Sequence, residues 1–203
     1  MKWAEGGGVR AAEPAAAARL FRVLAMGLFV WRRRPLRAGE FTSGSALAPA
    51  LIAVAVLSIA EVGVVDLLLA PWSAWAARIL SAVALLGAVY LVGLAKSLRH
   101  VPTRVEADGL ALRLGYLKAL NVDYSAIRRV DHFPSGAPRA EGRLDLAPLS
   151  TPNIVIALDE EAGRGSPGAV RGIGVRMDDG PRFLAALEER RAAVAAGAER
   201  LRA

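Results

Sequence analysis

The side chains that most often do chemistry are few in this 203-residue chain and lie far apart. There is no cysteine, which excludes disulfides, thiolate metal sites and thiol nucleophiles. The two histidines are His100 and His132. His132 follows Asp131, but neighbours on a strand point to opposite faces, so they do not form an acid–base pair. Gly172-Ile173-Gly174 resembles a fragment of a phosphate-cradling loop, yet no Lys-Ser or Lys-Thr accompanies it. In a strand those glycines point to a bulge or close packing. No residue stands out as a nucleophile, and the expectation is a non-catalytic chain with no cofactor and no metal.

The residues that do stand out are charges in apolar surroundings. Glu61 and Asp66 interrupt the run 46–70, and a carboxylate in mid-bilayer costs about 2.5–3.5 kcal/mol on insertion scales. If the chain reverses about Trp72, Asp66 comes level with Arg78, which suggests an ion pair that sets the register of two helices. Glu61 lies deeper, and its nearest polar neighbour across the reversal is Ser81. Two readings of Glu61 stand side by side. It serves a proton or cation relay or a partner membrane protein, or it is a protonated carboxyl bonded within the hairpin or turned outward. Ala84 and Ala88 offer a face for close helix packing.

The elements that carry these charges account for the composition. The chain is 54% hydrophobic and only 22% charged, with mean hydropathy +0.36 and net charge +7. Runs 46–70 and 75–98 are each long enough, at about 1.5 Å per residue, to cross about 30 Å of hydrocarbon. Only Pro71-Trp72-Ser73-Ala74 separates them, so segment 46–98 is expected to be an antiparallel transmembrane hairpin with Trp72 and Trp75 at the interface. The flanks carry Arg19, Arg22, Arg32, Arg33, Arg34 and Arg37 before it and Lys96, Arg99 and Arg104 after it, while the turn has no basic residue. Both termini should then face the cytoplasm. Topology explains this charge without nucleic acid.

Residues 1–18, rich in Ala and Gly, are expected to be a disordered tail. Segment 19–45 reads as a basic juxtamembrane stretch whose Leu20–Trp31 run is too short to span. A helix in the inner headgroup region fits it, with Arg19, Arg22, Arg32, Arg33 and Arg34, and Arg99 and Arg104 from the other flank, available to anionic lipid.

From 101 onward apolar residues alternate. Expected strands include Leu110–Leu114 after the Asp108-Gly109 turn, Ala119–Tyr124, Ile127–Phe133, Arg143–Ala147, Asn153–Leu158 and Gly172–Met177. Asp178 or Asp179 can cap a helix whose Phe183, Leu184, Leu187 and Val194 form one stripe. The expected fold class is an α+β membrane protein. A two-helix transmembrane hairpin precedes a domain at 101–195, an antiparallel barrel or sandwich of about seven strands closed by the C-terminal amphipathic helix, with a tail at 196–203.

The run RVEADGLALRLGYLKALNVDYSAIRRV resembles the first four strands of bacterial pleckstrin-homology-like (PH-like) domains, and GIGVRMDDGPRFLAALEER resembles their last strand and helix. Pro152-Asn153-Ile154 is similar to a variant in actinobacterial membrane proteins of unassigned function. The resemblance implies a PH-like fold in a bacterial plasma membrane protein. Lipid-binding members of that superfamily hold phosphoinositides with basic residues at the first hairpin, whereas this tip is Asp108-Gly109. Arg113, Lys118, Arg128 and Arg129, with Arg99 and Arg104, can lean on anionic lipid or form a solvated face. The partners expected are therefore the bilayer and an unidentified membrane or cytoplasmic protein. Two functions follow: a membrane-tethered binding or scaffold module, or an accessory subunit of a transporter or secretion assembly that uses Glu61.

Overall fold

The structure, a computed structural model, describes residues 9–11, 16–29, 35–43, 47–138, 140–147, 150–159 and 170–200. The chain is α+β and divides into two compact units, each discontinuous in sequence. One comprises 14–34 and 45–100, and the other 1–13, 35–44 and 101–203.

The first unit is helical: α1 (Ala16–Phe29), α2 (Leu47–Leu69) and α3 (Ala74–His100). Both α2 and α3 are long and apolar enough to cross a membrane. Helix α3 starts after Ser73, whose Oγ accepts the Ala76 N–H at 3.3 Å and so satisfies one of the first-turn donors. The less exposed positions of α2 include Ala48, Leu51, Ala55, Ser58, Val62, Val65 and Leu69. Those of α3 include Ala77, Ser81, Ala84, Ala88, Leu91 and Ala95. Both sets alternate steps of three and four, the spacing that keeps one seam facing a partner helix. Small residues dominate the seam, which lets the backbones approach closely. Large apolar side chains such as Ile52, Leu57, Leu68, Val83 and Leu86 point away from it and are exposed.

Helix α1 packs on the C-terminal half of α3. Val23 and Met26 are buried there, and Gly27 meets Gly93 so closely that a Cβ on Gly93 would strike the Val23 carbonyl. The helix expected at 20–31 thus exists, starts four residues earlier and packs against the hairpin. Its outer side still exposes Leu20, Phe21, Leu28 and Phe29.

The second unit holds nine strands among the described residues and the C-terminal helix α4 (Gly180–Arg200). The strands are β1 (Val9–Ala11), β2 (Glu40–Phe41), β3 (Thr103–Val105), β4 (Gly109–Leu114), β5 (Lys118–Asp123), β6 (Ile127–His132), β7 (Arg143–Asp145), β8 (Ile154–Leu158) and β9 (Gly172–Val175). They form two sheets, β1-β5-β4-β3-β2 and β6-β8-β9-β7, with a 3-10 turn at Tyr124–Ala126 leading from β5 to β6.

Three expectations need correction. Strand β1 falls inside the stretch expected to be a disordered tail, and β2 inside the juxtamembrane segment. The β-unit therefore takes both edges of its first sheet from residues that precede the hairpin, because the β3-β4-β5 meander leaves two unpaired edges to cover. Second, the sheets are not wholly antiparallel. Successive strands β7, β8 and β9 reverse direction, so the first and third run the same way. Insertion of β9 between β8 and β7 then makes β7–β9 parallel. Third, Val194 does not complete the helix stripe. Phe183 and Leu187 are buried, but Val194 is 41% exposed, since α4 continues past the apolar surface it covers.

Strand β8 shows why these residues form a sheet: Ile154, Ile156 and Leu158 are buried, and the residues between them are partly exposed. The core they enter includes Leu110, Leu112, Val122, Ile173, Val175 and the α4 side chains. Phe41 of β2 meets Phe183 of α4 edge to face, with ring centroids 5.3 Å apart. Beyond β2, Ser43 forms an antiparallel bridge with Met177, just past β9.

Candidate functional site

In the helical unit the polar groups are arranged differently from the sequence expectation. Asp66 does not pair with Arg78. Its Oδ1 accepts a hydrogen bond from Ser81 Oγ at 2.8 Å. The reason is helical phase: Ser81 lies on the α3 seam, whereas Arg78 follows the seam residue Ala77 by one position, about 100° around the helix, and is exposed. Ser81, expected beside Glu61, is thereby committed to Asp66. Glu61 is exposed on α2 and makes no hydrogen bond or ion pair among the described residues.

Lys96 was legible only as a flank charge. Its Nζ donates to the Gly27 carbonyl at 2.9 Å, near the C-terminal end of α1, where a cation complements unpaired carbonyls. Arg19 is partly buried on α1, Arg22 is exposed there, and Arg99 is exposed in the last turn of α3. Arg32, Arg33 and Arg34 lie outside the described residues.

In the β-unit, Arg104 pairs with a neighbouring acid while 43% of its side chain stays exposed. Its guanidinium binds Glu40 through Nη2 at 3.1 Å and Nε at 3.2 Å, tying β3 to β2. Arg129 pairs with Asp131 at 2.9 Å, so Asp131 serves an arginine and not His132. Lys118 and Arg128 remain exposed.

The remaining polar groups hold the fold. Arg143 chelates Asp145 with Nε to Oδ1 at 2.6 Å and Nη2 to Oδ2 at 3.1 Å, and its Nη1 reaches the Pro138 carbonyl. These two residues stand in register with Gly172 and Gly174, and a Cβ on Gly174 would run into Asp145 and Pro152. Close packing, not phosphate binding, accounts for the Gly-Ile-Gly motif. The Asn153 side chain clasps both backbone groups of Met177, donating from Nδ2 at 2.8 Å and accepting at Oδ1 at 2.9 Å. Ser43 and Thr103 hydroxyls both donate to the Arg113 carbonyl, and the gap beside them and Met177 is too small for a water molecule. Tyr124 donates to the Glu106 carbonyl at 2.6 Å. Burial pushes its phenol up to about 12; the negative charges of Glu106 and Asp108 add to the rise, and Arg190 opposes it. Asp179, not Asp178, caps α4 by accepting the Arg182 N–H, while the Asp178 N–H is taken by the Thr42 carbonyl.

No three His, Cys, Asp or Glu side chains gather to hold a metal among the described residues. What the arrangement offers chemically is surface and edge: the lateral faces of α2 and α3, the bulged edge strand β6, and the β1 edge. The pairs Glu40–Arg104 and Lys96–Gly27 were missed because each joins residues more than sixty positions apart, and no local pattern encodes that register. Compared with protein-family models, curated proteins and solved structures, the chain matches none.

Proposed function

We propose that this chain is a two-span integral membrane protein that presents a cytoplasmic, PH-like β-unit as a non-catalytic binding or scaffold module for a protein partner or the membrane surface. The observation that carries the reading is the outward surface of α2 and α3. Large apolar side chains cover it, and only 6% and 22% of the most apolar stretch of each helix is buried. A core helix of a water-soluble protein would bury that surface, so lipid is the natural solvent for it. Pairing of β2, before the hairpin, with β3, after it, fits a chain that crosses twice and returns to the side it left. The arginine-rich flanks favour the cytoplasm for that side. Committed polar groups within the β-unit favour a scaffold: the Ser43 and Thr103 hydroxyls are spent on the Arg113 carbonyl, and the Arg143 guanidinium on Asp145 and the Pro138 carbonyl.

Reporter fusions at the C-terminus should read as cytoplasmic, and crosslinking in native membranes from the β-unit should recover a protein. An extracytoplasmic C-terminus would overturn the topology, and recovery of lipid alone would leave only the membrane surface as partner. A second reading is favoured by one contrast: Asp66 has Ser81, while Glu61 has no such partner among the described residues. In that reading Glu61 serves an accessory role in a larger membrane assembly. Loss of function on Glu61→Gln with the β-unit's partners unchanged would select it.

A further inference from the structure

Three features of the helical hairpin fall on one face. Glu61 precedes the α2 seam residue Val62 by one position, and Gly87 and Tyr90 precede the α3 seam residues Ala88 and Leu91 by one. Helices α2 and α3 are antiparallel, so one step back from the seam, about 100°, turns toward the same side of the hairpin in both. Glu61 and Gly87 are exposed there and Tyr90 is partly buried. Leu68 and Leu80, seven positions from Glu61 and Gly87, are exposed on the same side. Depth agrees as well as phase. The Asp66–Ser81 bond sets the register of the two helices and brings Glu61 within a turn of Gly87, with Tyr90 three residues further along. Side chains lean toward the N-terminus of their own helix, so in this antiparallel pair Glu61 and Tyr90 lean toward each other's level. Neither makes a hydrogen bond or ion pair among the described residues. A carboxyl and a phenol left facing hydrocarbon are costly, and here each lacks what the other supplies.

We propose that a second copy of this chain docks on that face, related to the first by a two-fold axis along the membrane normal. The inference rests on the two-span reading and names the assembly that Glu61 serves. Such an axis keeps every residue at its own depth and sets α2 of each copy against α3 of the other. Glu61 then lies over Gly87 of the second copy, where a Cβ would meet nothing within 4 Å of its own chain, and its carboxyl accepts a hydrogen bond from the Tyr90 hydroxyl of that copy. The bond forms twice. The missing side chain at Gly87 lets the two backbones approach, and by the same register Leu68 of one copy comes level with Leu80 of the other.

The test uses the full chain in proteoliposomes, where Förster transfer between labelled copies at increasing lipid dilution reads the dimerisation constant. Tyr90→Phe and Glu61→Ala should each weaken dimerisation about tenfold, because both copies of the bond are lost together, and the double variant should weaken it no further. Gly87→Leu has open space within its own chain, so the hairpin should keep its helical circular dichroism while dimerisation is lost. The chain has no cysteine, so single cysteines report the face. Leu80→Cys should form an oxidative dimer, and Leu85→Cys, which follows the seam residue Ala84 and so lies on the opposite side, should not. Transfer at the random level in the unaltered chain, crosslinking through Leu85→Cys instead of Leu80→Cys, or undiminished dimerisation of Tyr90→Phe or Gly87→Leu would each overturn the proposal. Extraction of the chain from membranes by alkaline carbonate would overturn the two-span reading with it, whereas a chain that resists extraction yet stays monomeric removes the dimer alone.

Discussion

Replacing Phe41 by alanine tests whether the β-unit is a contiguous domain that starts after α3 or a discontinuous one completed by residues from before α2. Phe41 is 6% exposed and its ring meets that of Phe183, itself fully buried, at 5.3 Å and 88°. A buried Phe→Ala change costs about 3–5 kcal/mol through lost burial and the cavity left behind. Against a domain stability of about 5–15 kcal/mol that is a large fraction. It lowers the folding equilibrium constant by about two to three and a half powers of ten. Trp72 and Trp75 lie at the reversal between α2 and α3, so intrinsic fluorescence carries signal from outside this core. Hydrogen exchange of the β8 amides in increasing urea reads it directly. Phe183→Ala should cost a similar amount, and the double mutant should fall short of additivity by about 0.5–1.5 kcal/mol, the worth of an edge-to-face pair. A loss below about 1 kcal/mol for Phe41→Ala would refute the reasoning, because a core residue cannot be removed so cheaply. The unit beginning at residue 101 would then be self-sufficient and β2 an ornament on its edge.

Three further outcomes follow from the contacts described. Gly93→Leu inserts a side chain where the Val23 carbonyl lies, so α1 should leave α3 and its amides should lose protection; undisturbed α1 exchange would contradict the close crossing. Ser81→Ala strips Asp66 of its donor and should destabilise the hairpin by about 1–3 kcal/mol in detergent-unfolding titrations followed by circular dichroism, more than Arg78→Ala does; the reverse order would restore the Asp66–Arg78 pair. The folded state favours the protonated Tyr124 phenol, so its stabilising contribution is complete below pH 10, the ordinary phenol value, and is lost as pH rises through about 12. Tyr124→Phe should flatten alkaline unfolding across that interval, and an unchanged slope would place the sensitivity elsewhere.

Much of the architecture is legible in the order of residues because its causes are local. Continuous apolarity over about two dozen residues marks α2 and α3, and the four-residue turn between them makes the hairpin unavoidable. Period-two alternation marks β4, β5, β6, β7, β8 and β9 to within a few residues, and Asp179-Gly180-Pro181 marks the start of α4. Those features depend on neighbours in sequence, where backbone geometry leaves few choices.

What tertiary structure alone decided is which distant pieces complete one another. Nothing in Val9-Arg10-Ala11 or Glu40-Phe41 distinguishes them from loop, since two or three residues have no period; they become strands only because β5 and β3 present edges to them. Helical phase, not depth, gave Asp66 its partner, and a difference of one position, about 100° of rotation, separates Arg78 from the seam on which Ser81 lies. Likewise Gly27 and Gly93 are unremarkable in their own helices, and their meaning appears where two backbones come too close for a Cβ. The sparse chemistry of the chain was evident from its residue types; that Glu40 and Ser43 are spent on joining the segment before the hairpin to Arg104 and Arg113 after it could be settled only by long-range packing, because a contact between residues more than sixty positions apart leaves no mark on either local sequence.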